Sequence, residues 1–561
     1  MKTQIKKHLA LFVALVMCLG VLAGCEQTPA ETTAPATKPV ETTAPNQTTA
    51  PVETTEPAEL MNSDIYPLDS DKVFTVATGR ANAGEIAATQ RWAEITGVEI
   101  EWITWEDEQA KMALTSKELP DAVFWLAASA VDKATAYEYG SAGYFINYMD
   151  YLDYMPNFKA LIEAEPDVLT FVQNPDGSVY SLPRVGKTST DYGNLLYFRT
   201  DMMEAIGWDE PPRTTDEFLR YIKELQTHYG ADDPEFQAFN AYNNKYMGWN
   251  YSSGVLPFFF FPSFGDQVYA GLNTVDGKTV QLGLATEQYK RLLVFMNEVY
   301  ESGAFGKDIY TEDGTVSRAL TVANKVGITP FASYLTKDNF ESGELELTLL
   351  APLTSEYNSE QVYYTTSRYL WRGCMISSKC EDIETMCRWM DSFYATEENP
   401  LNKEGTIWGI SSWIGELGVD YTVDKENNTY TVLPHEGYDT ASAWFSNESF
   451  GSALGQMNFL YVDMSGTGLQ KKAEGTVNIL LPCAKYNFDM SMLSLTEDET
   501  IIYSDAWTDI NTYVTEQTAK FISGEIDIEA GWDEYIKNLE AMGLQDVLDV
   551  YQAAYDRYLA G

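Results

Sequence analysis

The sequence predicts an α/β protein in which strands and helices alternate along the chain. Three stretches carry that reading. Val73-Phe-Thr-Val-Ala77 is a short apolar, β-branched run that ends in Thr78-Gly79-Arg80, and a helical pattern follows from about Glu85 to Ile95. Val98-Glu-Ile-Glu-Trp102 repeats the strand signal and leads into a helix through Lys111 to Ser116. Asp121-Ala-Val-Phe-Trp125 is the third strand. In sheets of this kind ligands sit beyond the carboxyl ends of the strands. Some 500 residues follow the N-terminal segments, enough for two lobes or more.

The N-terminus reads as a targeting device. Lys2, Lys6 and Lys7 precede an apolar run from Leu9 to Leu22, which closes on Leu22-Ala23-Gly24-Cys25. That run is too short for a membrane span of ~20 residues, and it ends on a cysteine as a bacterial lipoprotein signal does. Residues 1–24 are therefore expected to be removed and Cys25 to carry lipid, because buried acyl chains contribute ~0.8 kcal/mol per methylene to membrane attachment. Residues 25–61 repeat a Glu-Thr-Thr-Ala-Pro theme, as at Glu31–Pro35 and Glu41–Pro45. Threonine, proline and alanine offer too little apolar surface to offset ordering entropy, so this segment is expected to be a disordered tether. A long tether suits the outer face of the cytoplasmic membrane of a Gram-positive bacterium.

With 83 acidic against 37 basic residues the formal net charge is −46, which repels nucleic acid and anionic lipid. Cys374, Cys380, Cys387 and Cys483 do not form a Cys-x-x-Cys pair. Free thiols are expected, with a Cys374–Cys380 disulfide as the alternative. Once His8 is cleaved away, His228 and His435 are the remaining histidines, and neither lies in a nucleophile or metal motif. Gly186-Lys-Thr and Gly277-Lys-Thr lack the upstream glycine of a phosphate loop. They read as turns, beside the hairpin signals Asp176-Gly177 and Asp276-Gly277. Asp308 to Gly314 lacks the alternating ligands of a calcium loop. Carboxylates are so abundant that close pairs arise by chance, which weakens a glycoside hydrolase reading. No cofactor is expected, and the chain should bind its ligand without converting it.

Several motifs resemble the family 1 extracellular solute-binding proteins, in the branch of long Gram-positive lipoproteins. They are Thr96-Gly97-Val98, Leu119-Pro120-Asp121, GYFINYMDYLDYMPNF from Gly143, DGSVYSLP from Asp176, LLYFRTDMMEAIGW from Leu195, Pro212 to Phe218 and Gly418 to Tyr421. The closing segment adds Phe521 to Gly524, Trp532 to Tyr535, Met542-Gly-Leu544 and YQAAYDRY from Tyr551. The resemblance implies a two-lobe clamp of the periplasmic-binding-protein type (type II), each lobe a sheet flanked by helices, joined by a hinge. It implies crossings between lobes near Pro183–Phe198 and Trp371–Ser377. Lobe 1 is then 62–190 with 370–430, and lobe 2 is 191–369 with 431–561. It further implies a monomer that delivers a small ligand to the permease subunits of an ABC importer.

A sugar presents apolar ring faces and hydroxyl rims, so its site combines flat aromatic platforms with planar hydrogen-bonding groups. The 13 tryptophans and 36 tyrosines of this chain favour an oligosaccharide, with peptides or another nutrient as the alternative, or a role as a carbohydrate sensor or adhesin. Trp208, Trp532 and the Tyr551, Tyr555, Tyr558 stripe read as packing. The candidate ligand contacts are Arg80, Trp105 and Trp125 after the first three strands, Arg184 and Tyr197 at the first crossing, and Trp371 and Arg372 at the second. From the other lobe come Trp249 and Tyr251, beside the Phe258–Phe261 run, and Tyr334 beyond the strand-like Val326–Thr329. Trp408 and Trp413, on a glycine-rich loop, complete the set.

Overall fold

In this computed structural model the described residues are 61–126, 131–186, 195–240, 259–265, 271–274, 276–304, 306, 314–330, 332, 335, 337–341, 345–365, 368–450, 454–457, 459–461, 466, 468–486, 488, 490 and 493–560. In chain order the strands are β1 (Val73–Thr78), β2 (Glu99–Thr104), β3 (Ala122–Val123), β4 (Leu182–Gly186), β5 (Tyr197–Arg199), β6 (Gln237–Phe239), β7 (Leu272–Thr274), β8 (Val280–Leu282) and β9 (Val326–Thr329). They continue as β10 (Leu347–Leu349), β11 (Tyr363–Thr365), β12 (Tyr369–Ile376), β13 (Tyr421–Asp424), β14 (Thr429–Val432), β15 (Gly455–Met457), β16 (Leu460–Tyr461) and β17 (Ala484–Tyr486).

The predicted alternation of strands and helices is realised in the first lobe, whose sheet has the order β15-β4-β12-β3-β1-β2. Strands β2, β3, β4 and β15 run with β1, and β12 runs against its neighbours β3 and β4. The helix between β1 and β2, Ala87–Thr96, stops at Gly97, whose φ of 70° is the left-handed conformation of a helix terminus. A Cβ there would lie 2.3 Å from the Leu68 carbonyl oxygen, so only glycine fits. The next helix, Asp107–Ser116, begins on a capping box made by Glu106 and Gln109. Phe74, Val76, Trp92, Phe124, Trp389 and Phe393 meet in one core beneath these elements.

The second lobe is built on a smaller sheet, β10-β5-β9-β6, in which β6 runs parallel to β9 and β5 runs against it. Its core packs the Thr215–Tyr229 and Glu287–Glu301 helices with the three C-terminal helices, Glu497–Ile522, Ile528–Ala541 and Leu544–Ala560. Tyr289 and Thr518 share a buried hydroxyl–hydroxyl hydrogen bond of 2.6 Å between two of these helices. The C-terminal motifs serve packing: Trp532 and Tyr555 are buried, and the Phe488 ring packs, tilted, against Tyr555 and Tyr558. β7 and β8 form the hairpin foreseen at Asp276-Gly277, with the Asp276 carboxylate accepting from the Lys278 and Thr279 N–H groups.

Other expectations need correction. Asp176-Gly177 is a turn between a helix and β4, not a hairpin between two strands. Of the Phe258–Phe261 run, Phe259, Phe260 and Phe261 are buried in the second core with Phe264, on a helical turn. Trp371–Ser377 is no crossing. The chain leaves the second core at Leu353 and joins the first at Tyr369, and residues 371–376 are the body of β12. The segment from 431 to 461, grouped with lobe 2 in the sequence reading, supplies Val432, Trp444, Phe450, Leu454 and Met457 to the first core, and β15 extends the first sheet beside β4. Its pairing partner lies more than 250 residues earlier, so no local pattern signals it.

Candidate functional site

The crossings from β4 to β5 and from β10 to β12 join the same edges of the two sheets. β4 leaves the first sheet at its carboxyl edge, and the chain re-emerges in β5 at Tyr197, which pairs with Thr329 at the carboxyl end of β9. β10 ends at Leu349 beside Tyr197 and leads back to the start of β12, which lies at the carboxyl edge of the first sheet because β12 runs antiparallel. β15 also ends at that edge before the chain returns to the second lobe. The two carboxyl edges, where open α/β sheets hold ligands, are thus connected by the first two of these links.

On the first edge, Arg80 follows β1. Its Nη2 donates to the carbonyls of Ser446 and Asn447 at 2.9 and 3.1 Å, which ties the β1 loop to the end of the Ala441–Glu448 helix, while its buried Nε has no partner. Trp105 follows β2, half-buried against the small core around Leu126 and Tyr180. Trp125 follows β3 with a φ of 59°, a left-handed conformation that costs a non-glycine residue ~1–2 kcal/mol. Three contacts hold it there: the Gly79 N–H donates to its carbonyl at 3.2 Å, its own N–H points at the Cys374 sulfur at 3.4 Å, and its ring lies edge-on to Phe450 at 5.6 Å. The ring stays half-buried, so part of its face remains open.

Trp371 and Arg372 sit at the start of β12, where a bulge between Trp371 and Cys374 interrupts the register with β4. Gly373 occupies the bulge with a φ of 56°. The Trp371 indole is half-buried between two hydrophobic clusters and donates to the Val131 carbonyl at 2.8 Å. It is more anchored than an open platform would be. Arg372 is half-buried beside Cys374, whose thiol burial pushes up to about 12. Cys374, Cys380, Cys387 and Cys483 are all free, in line with the first of the two cysteine readings. At the hinge, Arg368 donates to the Gly186 carbonyl at 3.1 Å, receives the Gly186 N–H on its own carbonyl at 2.8 Å, and pairs with Glu165.

Two candidates belong to the core. Trp408 is packed against Tyr421, and Trp413 donates to the Leu454 carbonyl at 2.6 Å, both nearly inaccessible. The loop that carries them folds back over the first core, and burying an indole is favoured over leaving it in the loop's solvent layer. Arg184, buried in β4, lays its guanidinium 4.9 Å above the Trp413 ring. That contact makes the pair a structural prop of the sheet.

On the second side, Tyr197 is 2% exposed and packed in a buried cluster with Leu335, Leu347, Leu349 and Tyr363, and its hydroxyl, held far above the usual range by burial, finds no hydrogen-bond partner among the described residues. Asn240 follows β6 as Arg80 follows β1, but it is wholly buried and donates from Nδ2 to the Ser317 carbonyl at 3.0 Å. Trp249, Tyr251 and Tyr334 lie outside the described residues, as does Cys25.

No family model matches the chain. A fructooligosaccharide ABC transporter substrate-binding protein, FusA of Streptococcus pneumoniae, is 25% identical over 528 residues, covering 88% of this chain and 92% of that protein. The chain is thus similar, over most of both lengths, to an ABC transporter substrate-binding protein. The fold is likewise similar to that of solved solute-binding proteins. FusA in complex with kestose superposes with a TM-score of 0.66 at 19% identity, over 87% of this chain and all of that one. A human-milk-oligosaccharide-binding protein from Bifidobacterium longum infantis superposes with a TM-score of 0.69 at 17% identity, over 87% of this chain and 99% of that one.

Proposed function

We propose that this solute-binding protein captures an oligosaccharide between its two carboxyl edges and delivers it to the permease subunits of an ABC importer. The observation that carries the reading is that the β4–β5 and β10–β12 crossings link the two edges, so a ligand touching Trp105 or Trp125 on one side meets the second lobe on the other. Half-buried indoles match the apolar faces of sugar rings, and the relative that binds fructooligosaccharides supports the ligand class. The protein acts as a monomer, and Cys25 carries the lipid that holds it at the outer face of the membrane. It releases its ligand unchanged.

The test is thermal unfolding of the mature protein across a library of oligosaccharides and peptides, with mass spectrometry of the ligand afterwards. An oligosaccharide at 100 times its Kd should add ~2.7 kcal/mol of stability, and should be recovered intact. Stabilisation by peptides alone would overturn the ligand class, and cleavage of a glycan by pure protein would overturn the binding role.

A further inference from the structure

Apart from its carboxyl edge, the first lobe holds a cavity of about 260 Å³, bordered by β2, the edge strand of the sheet, and by the Ala87–Thr96 helix. The helix lends Ala88 and Ala93 to the lining, whose single methyl groups leave room that a larger apolar side chain would fill. Trp92, Trp102, Phe124, Trp389, Phe393 and Phe450 supply aromatic rings. Trp102 is half-buried and the other five are buried. The rings touch in a chain: Trp92 lies 5.2 Å from Phe393, Phe393 lies 5.0 Å from Phe124, and Phe124 lies 6.0 Å from Trp102, between centroids. Gly84, Gln90 and Glu99, the exposed members of the lining, mark the mouth.

Protein interiors are close-packed, and wall atoms that face a void forgo contacts, so an open space of this size is a cost to the fold. The wall also carries polar hydrogens, and these differ in how they are satisfied. The Trp92 indole N–H donates to Ser392 Oγ at 2.9 Å. The Thr89 and Ser412 hydroxyls donate to the Ile86 and Gly409 carbonyls at 3.0 and 2.7 Å. The indole N–H groups of Trp102 and Trp389 have no acceptor among the described residues, although Trp389 is only 2% exposed. A Cβ built on Gly84 would lie 3.4 Å from Trp102 Cδ1, the carbon bonded to Nε1, so the N–H edge of that ring lies by the mouth.

We propose that this cavity is a second binding site, for a neutral two-ring aromatic molecule that carries a hydrogen-bond acceptor. Neither Trp105 nor Trp125 lines it, so it is distinct from the carboxyl-edge site and independent of the oligosaccharide reading. Size sets the number of rings. A dry apolar cavity of about 150 Å³ takes one benzene, and about 260 Å³ takes a fused pair. The aromatic wall sets the flat shape, because offset and edge-on ring contacts add to the gain from buried area. The Trp102 and Trp389 N–H groups set the acceptor, since an indole nitrogen only donates. An anion finds no lysine or arginine in the lining and meets Glu99 at the mouth. A quaternary ammonium would use the rings but leave both N–H groups unpaired.

Coumarin is the probe, a neutral fused ring pair with a carbonyl acceptor. Binding to the mature protein is followed by ligand-observed NMR titration, with naphthalene as the ring pair that lacks an acceptor and choline as the cation. The wild type should bind coumarin saturably and choline not at all. Ala93→Leu fills the space and should weaken coumarin at least about tenfold, with a urea midpoint at or above that of the wild type, as cavity filling gives. Trp102→Phe keeps an apolar ring and removes the N–H, so the ratio of coumarin to naphthalene affinity should fall about fivefold. A ring that serves only the fold would leave that ratio unmoved. Absence of saturable coumarin binding to the wild type, or an affinity unchanged in Ala93→Leu, overturns the proposal. If Ala93→Leu does not fold, an unchanged ratio in Trp102→Phe overturns it. Saturable binding of choline in place of coumarin overturns the ligand class.

Discussion

Replacing Trp125 by alanine and by glycine separates its backbone role from its ring. The residue holds a φ of 59°, where an L side chain is strained by ~1–2 kcal/mol and glycine is not. Glycine loses about 0.5–1 kcal/mol of that advantage through the greater entropy of its unfolded chain. Trp125→Gly should therefore be more stable than Trp125→Ala by about 0.5–1 kcal/mol, the reverse of the usual order. Both variants lose the edge contact with Phe450, a pair worth ~0.5–1.5 kcal/mol, and the apolar area that the half-buried ring covers. Both should weaken oligosaccharide binding equally, by roughly 1–3 kcal/mol or 5- to 150-fold, because the ring is gone in each. Urea unfolding gives the first comparison and calorimetry the second. An alanine variant as stable as the glycine one would refute the strain argument. An affinity unchanged in both would remove Trp125 from the site.

Asp391 provides a pH test. Its carboxylate is wholly buried and pushed up to about 7 by burial, against the opposing pull of hydrogen bonds from the Phe158 and Asn157 N–H groups at 2.7 and 3.1 Å. A raised folded value means that the contribution of this group is fully present below the unfolded value near 4 and is lost as pH rises through about 7. Wild-type unfolding free energy should fall across that window relative to Asp391→Asn, and a pH-independent difference between the two would contradict the assignment. Trp413→Ala should cost about 3–5 kcal/mol of stability, as core truncations do, whereas Trp105→Ala should cost little stability and some affinity; chemical unfolding and calorimetry of both distinguish core from edge. Cys25→Ser should shift the protein from the membrane fraction to the medium, seen by fractionating cells that express it.

The sequence by itself determined the α/β alternation of the first lobe, since the apolar runs ending at Ala77, Trp102 and Trp125 are local patterns that burial imposes residue by residue. The same patterns placed Arg80, Trp105 and Trp125 after their strands. The tertiary structure decided the rest. Whether an indole is a platform or core depends on what packs over it, and nothing near Trp408 or Trp413 in the chain announces Tyr421's ring or the Leu454 carbonyl. The return of β15 to the first sheet depends on a partner in β4 that is remote in sequence. The cavity beside Trp102 exists only once the Ala87–Thr96 helix and Phe450, remote in sequence, come together beside β2, because unfilled space is a property of the assembled neighbourhood and not of the residue.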